Sequence, residues 1–472
     1  MKSKFAAFVM LLATVFVLAS CLSNDDNYTF TDDSAITSFS ISSGKQYVHV
    51  KSSTGADSVV TNELTLTSYK FYIDQVKCEI YNPDSLPCGT DVAKLLCTAS
   101  SSNSGIITIK NISSDTLAYL STTDSVDFSV DRQLQVYSNS GQAVRKYTVK
   151  VNVHKEFPDS FAWHAVPECE ALKNLTAIRT VAATDGILLF GTNGEQTLVF
   201  KGGNAGWTLC TPDFNHVLSA DCYRGVVEKA GRAYISDEGN IMSTTDGNTW
   251  KQEATATGIT RLVAASSFRL YGYAADGRLM ASSDNGATWA VSTVDDELSL
   301  LPTGETAYVR MPVATNKLTE RVLLIGSRDK AQYPSDANLT VWGKVDEGAS
   351  GSENQPWAYY NIGDDNTHRI PMLSSFSAYC YDGALFLLGH EDGKATAIYK
   401  SRDNGITWNT DTTIALPSGF GGATAAEALS DIPAMTVDSD NVLWLVNAKN
   451  GKAWRGRINR LGWKKEQTSF TE

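Results

Sequence analysis

The chain has 472 residues, 42% hydrophobic and 19% charged, with 52 acidic side chains against 40 basic ones and a net charge near −12. That length is enough for more than one hydrophobic core, and the acidic balance disfavours phosphate backbones and anionic surfaces, so no nucleic-acid partner is expected. With six His, no Gly-x-Ser-x-Gly elbow and no Gly-rich phosphate loop, nucleophilic triads and nucleotide chemistry lack their usual parts.

Lys2 and Lys4 precede an uncharged run over residues 5–18, and Leu18-Ala19-Ser20-Cys21 then resembles the lipobox of bacterial lipoproteins. The run is shorter than the ~20 apolar residues of a membrane span, and its small-residue end suits cleavage. Residues 1–20 are read as a lipoprotein signal peptide and 21–34 as a flexible tether lipidated at Cys21, so the membrane becomes a partner through that lipid. An ordinary secretory signal with a coincidental Cys is the alternative. Leu22-Ser23-Asn24-Asp25-Asp26-Asn27 resembles acidic tethers that carry lipoproteins to the outer cell surface, which implies an outer-membrane location facing the exterior. Losing the two Lys leaves 38 basic residues against 52 acidic, near −14.

Residues 35–155 are rich in Ser and β-branched side chains, with turn clusters about every ten residues. Alternation is clear in Thr37-Ser38-Phe39-Ser40-Ile41, Tyr47-Val48-His49-Val50 and Tyr147-Thr148-Val149-Lys150-Val151-Asn152-Val153. The spacing predicts a β-sandwich, and the last strand resembles that of Ig-like modules in bacterial surface proteins. Beyond Cys21, the cysteines at 78, 88, 97, 169, 210, 222 and 380 are odd in number and scattered. Buried free thiols are expected, a Cys78–Cys97 bridge being the alternative. No Cys-x-x-Cys or His-x-x-x-His spacing suggests zinc, and neither metal nor cofactor is expected.

Over 160–472 the pattern repeats. Ser282-Ser283-Asp284-Asn285-Gly286-Ala287-Thr288-Trp289 and Ser401-Arg402-Asp403-Asn404-Gly405-Ile406-Thr407-Trp408 share Ser-x-Asp-x-Gly-x-Thr-Trp, and Ser243-Thr244-Thr245-Asp246-Gly247-Asn248-Thr249-Trp250 is a third copy, shorter by one residue. This is similar to the Asp-box (BNR-type) hairpin of sialidase-like β-propellers. In it an Asp accepts backbone N–H groups, a Gly takes positive φ and a Trp packs between blades. Around the boxes, apolar strands group into six segments whose fourth strands carry Trp207, Trp250, Trp289, Trp357, Trp408 and Trp463. The fold class is thus all-β, an Ig-like sandwich followed by a six-bladed propeller. Seven blades remain the alternative, depending on Phe161-Ala162-Trp163-His164-Ala165-Val166, which is read here as a strand that helps close the ring. The best helix signal covers only residues 425–429. With Tyr81-Asn82-Pro83-Asp84-Ser85-Leu86-Pro87-Cys88-Gly89-Thr90-Asp91-Val92, the chain resembles a family of bacterial surface lipoproteins that joins such a module to an Asp-box propeller.

Arg369-Ile370-Pro371 resembles the sialidase motif that grips a carboxylate, yet it follows two of the three boxes rather than preceding them. Arg179, Arg224, Arg261 and Arg310 sit in no copy of the other sialidase motifs, and no catalytic residues are assigned. Propeller ligands usually lie on the face with long inter-blade loops, over the central channel. The extra length falls near Pro334-Ser335-Asp336-Ala337-Asn338, and the candidate ligand-binding residues are Trp357, Tyr359, Tyr360, Asp364, Asp365, His368 and Arg369. Rings beside carboxylates and amides suit sugar faces and hydroxyls, although Trp357 also fits blade packing and 363–369 a solvated turn. The expectation is a noncatalytic surface protein binding glycan or protein, with a sialidase-like glycoside hydrolase and a scaffold or assembly factor for an outer-membrane complex as alternatives.

Overall fold

The computed structural model describes residues 30–51, 57–348, 355–360, 366–421 and 430–463. The signal peptide, Cys21, most of the tether, Asp364, Asp365 and the helix expected over 425–429 lie outside the described residues. Secondary structure among the described residues is β-strand joined by short 3-10 turns, in two compact units, one running through Pro158 and one spanning Asp159–Trp463.

In the first unit a three-stranded sheet (Asp57–Thr65, Ile36–Lys51, Leu96–Ser101) and a six-stranded sheet contribute to one apolar core. Period-2 alternation explains the partition. Phe39, Ile41, Tyr147 and Val149 are buried in that core, whereas Ser40 faces outward and meets Thr98 Oγ1 at 2.8 Å. Tyr47 and Val50 depart from this pattern, because their half of the strand forms an exposed ribbon with Asp57–Thr65. The Tyr81–Val92 stretch follows a strand that runs parallel to Thr148–Lys150 of the six-stranded sheet, and Leu86 bridges Val153 in the same direction. Asn82 is fully buried, accepts the Asn152 N–H at 2.7 Å and donates to the carbonyls of Asp84 and Asn152 at 2.9 Å each. All seven described cysteines are unpaired, Cys78 and Cys97 included.

The second unit contains six four-stranded antiparallel sheets among the described residues, called I (177–209), II (227–255), III (259–291), IV (306–359), V (375–410) and VI (433–458 with 161–166). Their second strands are apolar on both faces because each sheet is sandwiched between two others. In sheet V, Leu385 and Leu387 face Leu323 and Ile325 of sheet IV, while Phe386 and Leu388 between them face Leu443 and Leu445 of sheet VI. Similar clusters join I to II through Phe190 and Ile235, II to III through Ile241 and Leu270, and III to IV through Tyr271 and Trp342. Phe200 and Leu189 of sheet I meet Trp444 and Val446 of sheet VI, so the series returns to its start as a β-propeller does.

Sheet VI corrects one strand assignment. Its outermost strand is Phe161–Val166, paired antiparallel to Lys452–Ile458 from Phe161↔Ile458 to Val166↔Ala453, and not the segment carrying Trp463. With that edge occupied, the chain leaves through the 3-10 turn Asn459–Gly462, and Trp463 follows it.

The three octapeptides build one turn by the same bonds. In sheet III, Asp284 Oδ1 accepts the Thr288 N–H (2.9 Å) and the Ser282 hydroxyl (2.8 Å), Oδ2 accepts the Thr288 hydroxyl (2.6 Å), and Ser282 Oγ accepts the Gly286 N–H (2.8 Å). Ser401, Asp403, Gly405 and Thr407 repeat this pattern in sheet V within 0.1 Å. In sheet II the hydroxyl role falls to Thr244 rather than Ser243, so the turn is shorter from its start. The lost residue is the left-handed Asn: Asn285 and Asn404 have φ of 58° and 60° before their glycines, while Gly247 alone has positive φ in the third copy. Each indole N–H closes its turn by donating to the turn glycine's carbonyl, Trp250 and Trp289 at 2.9 Å and Trp408 at 3.0 Å. Trp408 is buried against sheet IV, whereas Trp250 and Trp289 are half-buried against sheets I and II.

Candidate functional site

The long loops of sheet IV and the turn of sheet V enclose a cavity of about 310 Å³. Its polar lining comes from Arg328, Asp336, Asn338 and Arg369, its aromatic lining from Tyr359 and Tyr360, and Gly405, Ile406 and Trp408 of the sheet V turn complete the wall. The site lies at the third and fourth strands of sheet IV rather than over the central channel where a ligand was expected.

Local packing fixes each group. Arg328 grips Asp336 with both arms of its fork, Nε to Oδ2 at 2.8 Å and Nη2 to Oδ1 at 2.6 Å, and its guanidinium lies 3.7 Å from the Tyr333 ring centre. That pairing raises the Arg328 pKa further, so the charge is permanent. The Tyr359 ring lies 5.1 Å from Trp342, and its N–H is held by Asp295 Oδ1 at 2.8 Å. Tyr360 lies over Gly343, where a Cβ would come within 2.3–2.7 Å of its phenol. Burial raises the Tyr360 pKa and keeps its hydroxyl a donor. Asn338 spends one amide N–H on the Ile370 carbonyl at 3.0 Å, which ties the lining of sheet IV to the 369–371 segment.

Tyr359, Tyr360 and Arg369 are therefore brought together. Trp357 is not, and it is a correction: it is fully buried against Tyr271 of sheet III (5.1 Å, 87°) and donates to Ser292 Oγ at 3.0 Å. Its ring faces sheet III because it precedes the fourth strand on the face opposite Tyr360. His368 is exposed and does not line the cavity; its carbonyl accepts the Trp408 N–H at 2.9 Å. Arg328 and Asp336, the bidentate ion pair of this cavity, had no sequence signal beyond the length of their loop.

The sialidase alternative requires guanidinium groups converging on a substrate carboxylate. Arg179, Arg224 and Arg261 do converge, but on main-chain carbonyls and on the protein's own Glu305, whose Oε1 lies 3.1 Å from Arg224 Nε. Arg179 donates to the carbonyls of Arg224 (2.6 Å) and Thr306, and both Arg224 (3.0 Å) and Arg261 (3.1 Å) donate to that of Gly304. Burial lowers the Arg261 pKa to about 10, with the Arg224 charge adding to the shift. Arg369 lies elsewhere, at the cavity of sheets IV and V. Tyr308 and Glu228 are adjacent, yet the phenol oxygen accepts the Glu228 N–H at 2.7 Å and donates to its carbonyl at 3.2 Å rather than to the carboxylate. Burial pushes Tyr308 up to about 12, the opposite of nucleophile activation. Among the described residues no three His, Cys, Asp or Glu side chains group to hold a metal ion.

Comparison with known families matches residues 157–466 to the DUF6242 beta propeller domain and residues 39–151 to the domain of unknown function (DUF6242) N-terminal domain. The chain belongs to the DUF6242 family. None of the curated proteins matches it. Among solved structures, this DUF6242 protein is similar to a structural genomics protein of unknown function from Bacteroides thetaiotaomicron, at 10% identity over 90% of this chain and 98% of that one with a TM-score of 0.42. It is also similar to YCF48 from Cyanidioschyzon merolae, at 13% identity over 63% of this chain and 98% of that one (TM-score 0.33). A third is the GH74 xyloglucanase from Xanthomonas campestris, at 15% identity over 62% of this chain and 46% of that one (TM-score 0.34).

Proposed function

We propose that this DUF6242 protein is a lipoprotein of the outer cell surface, anchored through Cys21, whose Ig-like module carries a six-bladed Asp-box propeller that binds glycan or protein without catalysis. The observation that carries the binding role is the cavity between sheets IV and V, where Tyr359 and Tyr360 lie beside Arg328–Asp336, Asn338 and Arg369. Rings offer a face to a pyranose, and a fixed fork, carboxylate and amide serve its hydroxyls, so glycan is the favoured ligand. The lipobox and acidic tether support the anchor, and the six sheets with their repeated turn support the blade count and type.

The test is a panel of polysaccharides and mucins read for retention and for released product. Retention without release, lost in Tyr359→Ala and Arg369→Ala, is the expected result. Product release would establish the hydrolase, and neither retention nor release would leave the scaffold role. For the anchor, metabolic labelling with a fatty acid should mark the wild type and miss Cys21→Ala.

A further inference from the structure

The chain enters its first unit beside an uncovered apolar surface. Phe30 follows Cys21 by so few residues that the two are at most ~30 Å apart, even fully extended. Thr31 is then fastened to the unit. Its N–H donates to Asn139 Oδ1 at 2.7 Å, its carbonyl accepts the Ser140 N–H at 3.4 Å, and its hydroxyl oxygen accepts from Asn103 Nδ2 at 2.8 Å. Asn139 and Ser140 lie in the turn between the strands Arg132–Tyr137 and Val144–Lys150, and Asn103 lies in the 3-10 turn Ser102–Ser104 that leads into the strand Ile106–Lys110.

These three strands are neighbours in the six-stranded sheet, and their ends beside Thr31 carry an apolar row. Ile106 lies directly opposite Tyr137, and Tyr137 opposite Val144, so the three side chains share one face. Alternation turns that face outward, because Ile107, Val136 and Tyr147 fill the core on the other side. Ile106 is 56% and Val144 49% exposed, and Tyr119, opposite Thr108 on the edge strand Leu117–Tyr119, is 73% exposed. Lys146, exposed on the same face, forms no ion pair among the described residues. A contiguous exposed apolar patch marks a contact surface, and tyrosine rings with a lysine stem suit the boundary between headgroups and acyl chains.

We propose that this face of the first unit lies on the lipid surface, with Ile106, Tyr137, Val144 and Tyr119 at the apolar boundary and Lys146 over anionic headgroups. The proposal rests on the anchor at Cys21. Four apolar side chains would not hold a free protein on a bilayer, but a tether of ~30 Å makes the contact intramolecular, so a weak affinity suffices. The tether therefore names the occupant: the surface nearest to this row is the one that holds the lipid.

The experiment is hydroxyl-radical footprinting, read by mass spectrometry, of the lipidated chain in vesicles of phosphatidylethanolamine and phosphatidylglycerol. The same chain expressed from residue 22, which carries no lipid, is the reference in solution. Oxidation of Tyr119, Tyr137 and Val144 should fall several-fold on the vesicles. Val59 and Val60 of the three-stranded sheet, paired with His49 and Val48 near the far end of the strand that begins at Ile36, should be oxidised equally in both. Val144→Asp, a change at an exposed position, should return Tyr137 to its reactivity in solution while the acyl mass on Cys21 stays. Acyl mass on Cys21 with Tyr137 and Val144 oxidised as in solution overturns the docking and leaves the anchor standing, whereas absence of that mass overturns both. Protection that develops in the lipid-free chain as its concentration rises assigns the face to a second copy and also overturns the proposal.

Discussion

Substituting alanine for the turn glycines separates backbone strain from packing. Gly286 and Gly405 have nearly equal φ, +97° and +92°, a region where an L side chain costs ~1–2 kcal/mol. Their surroundings differ. A Cβ on Gly286 would lie 2.7, 3.1 and 3.2 Å from Cγ1, Cβ and Cγ2 of Ile241, a branch point fixed to its own strand. On Gly405 it would meet Leu323 Cδ1 at 2.7 Å and nothing else nearer than 3.8 Å, so a rotation of one methyl clears it. Overpacking adds ~1–3 kcal/mol where neighbours cannot yield. Gly286→Ala should therefore cost about 2–5 kcal/mol and Gly405→Ala about 1–2 kcal/mol. Urea unfolding followed by tryptophan fluorescence reads the difference. Ile241→Ala in the Gly286→Ala background should lose less than the two single losses added together. Equal losses for the two glycines, or a greater one for Gly405→Ala, would refute the docking of these turns on the preceding sheet as the source of their glycine requirement.

Ser401→Ala should cost about 1–3 kcal/mol by the same unfolding measurement, because Ser401 is buried and its hydroxyl is the acceptor for the Gly405 N–H. Trp357→Ala should lose about 3–5 kcal/mol, while Trp357→Phe keeps much of the burial and loses mainly the Ser292 bond, about 1 kcal/mol, with retention of any glycan unchanged in the latter. Burial opposes ionisation of Asp246, Asp284 and Asp403, but the bonds from Thr249, Thr288 and Thr407 and their neighbours outweigh it and hold all three below the ordinary 3.8. A depressed carboxyl stabilises the fold above its unfolded value and loses that contribution as pH falls through the folded one. The melting temperature should therefore drop as pH falls below 3.8, and less steeply in Asp403→Asn.

What the sequence discloses about this fold depends on the range of the interaction. The Ser-x-Asp-x-Gly-x-Thr-Trp turns are legible because every partner lies within eight residues, and apolar runs such as Leu385-Phe386-Leu387-Leu388 announce a strand buried on both faces. The exchange of Ser243 for Thr244 in the short copy is hidden, since both carry hydroxyls and only the spacing to Asp246 decides between them. Which of Trp357, Tyr359 and Tyr360 is accessible depends on the direction each takes in and beside the two-residue strand Ala358–Tyr359, and that is set by neighbouring sheets. Arg179 and Arg328 resemble any other arginine until the fold supplies a carbonyl or a carboxylate. The glycan reading rested on residue types near a long loop, which located the cavity but misplaced Trp357 and missed Arg328–Asp336.

The pairing of Phe161–Val166 with Lys452–Ile458 has a kinetic side. As the chain emerges from the ribosome, the strand that finishes the last sheet is synthesised before any of the other five, and must wait unpaired until almost the whole domain exists. Long-range pairing of this kind slows folding and leaves a sticky edge during the wait. A circular permutant that starts after residue 166 and appends 161–166 behind residue 458 would make the last step local, and its refolding should be faster at unchanged stability.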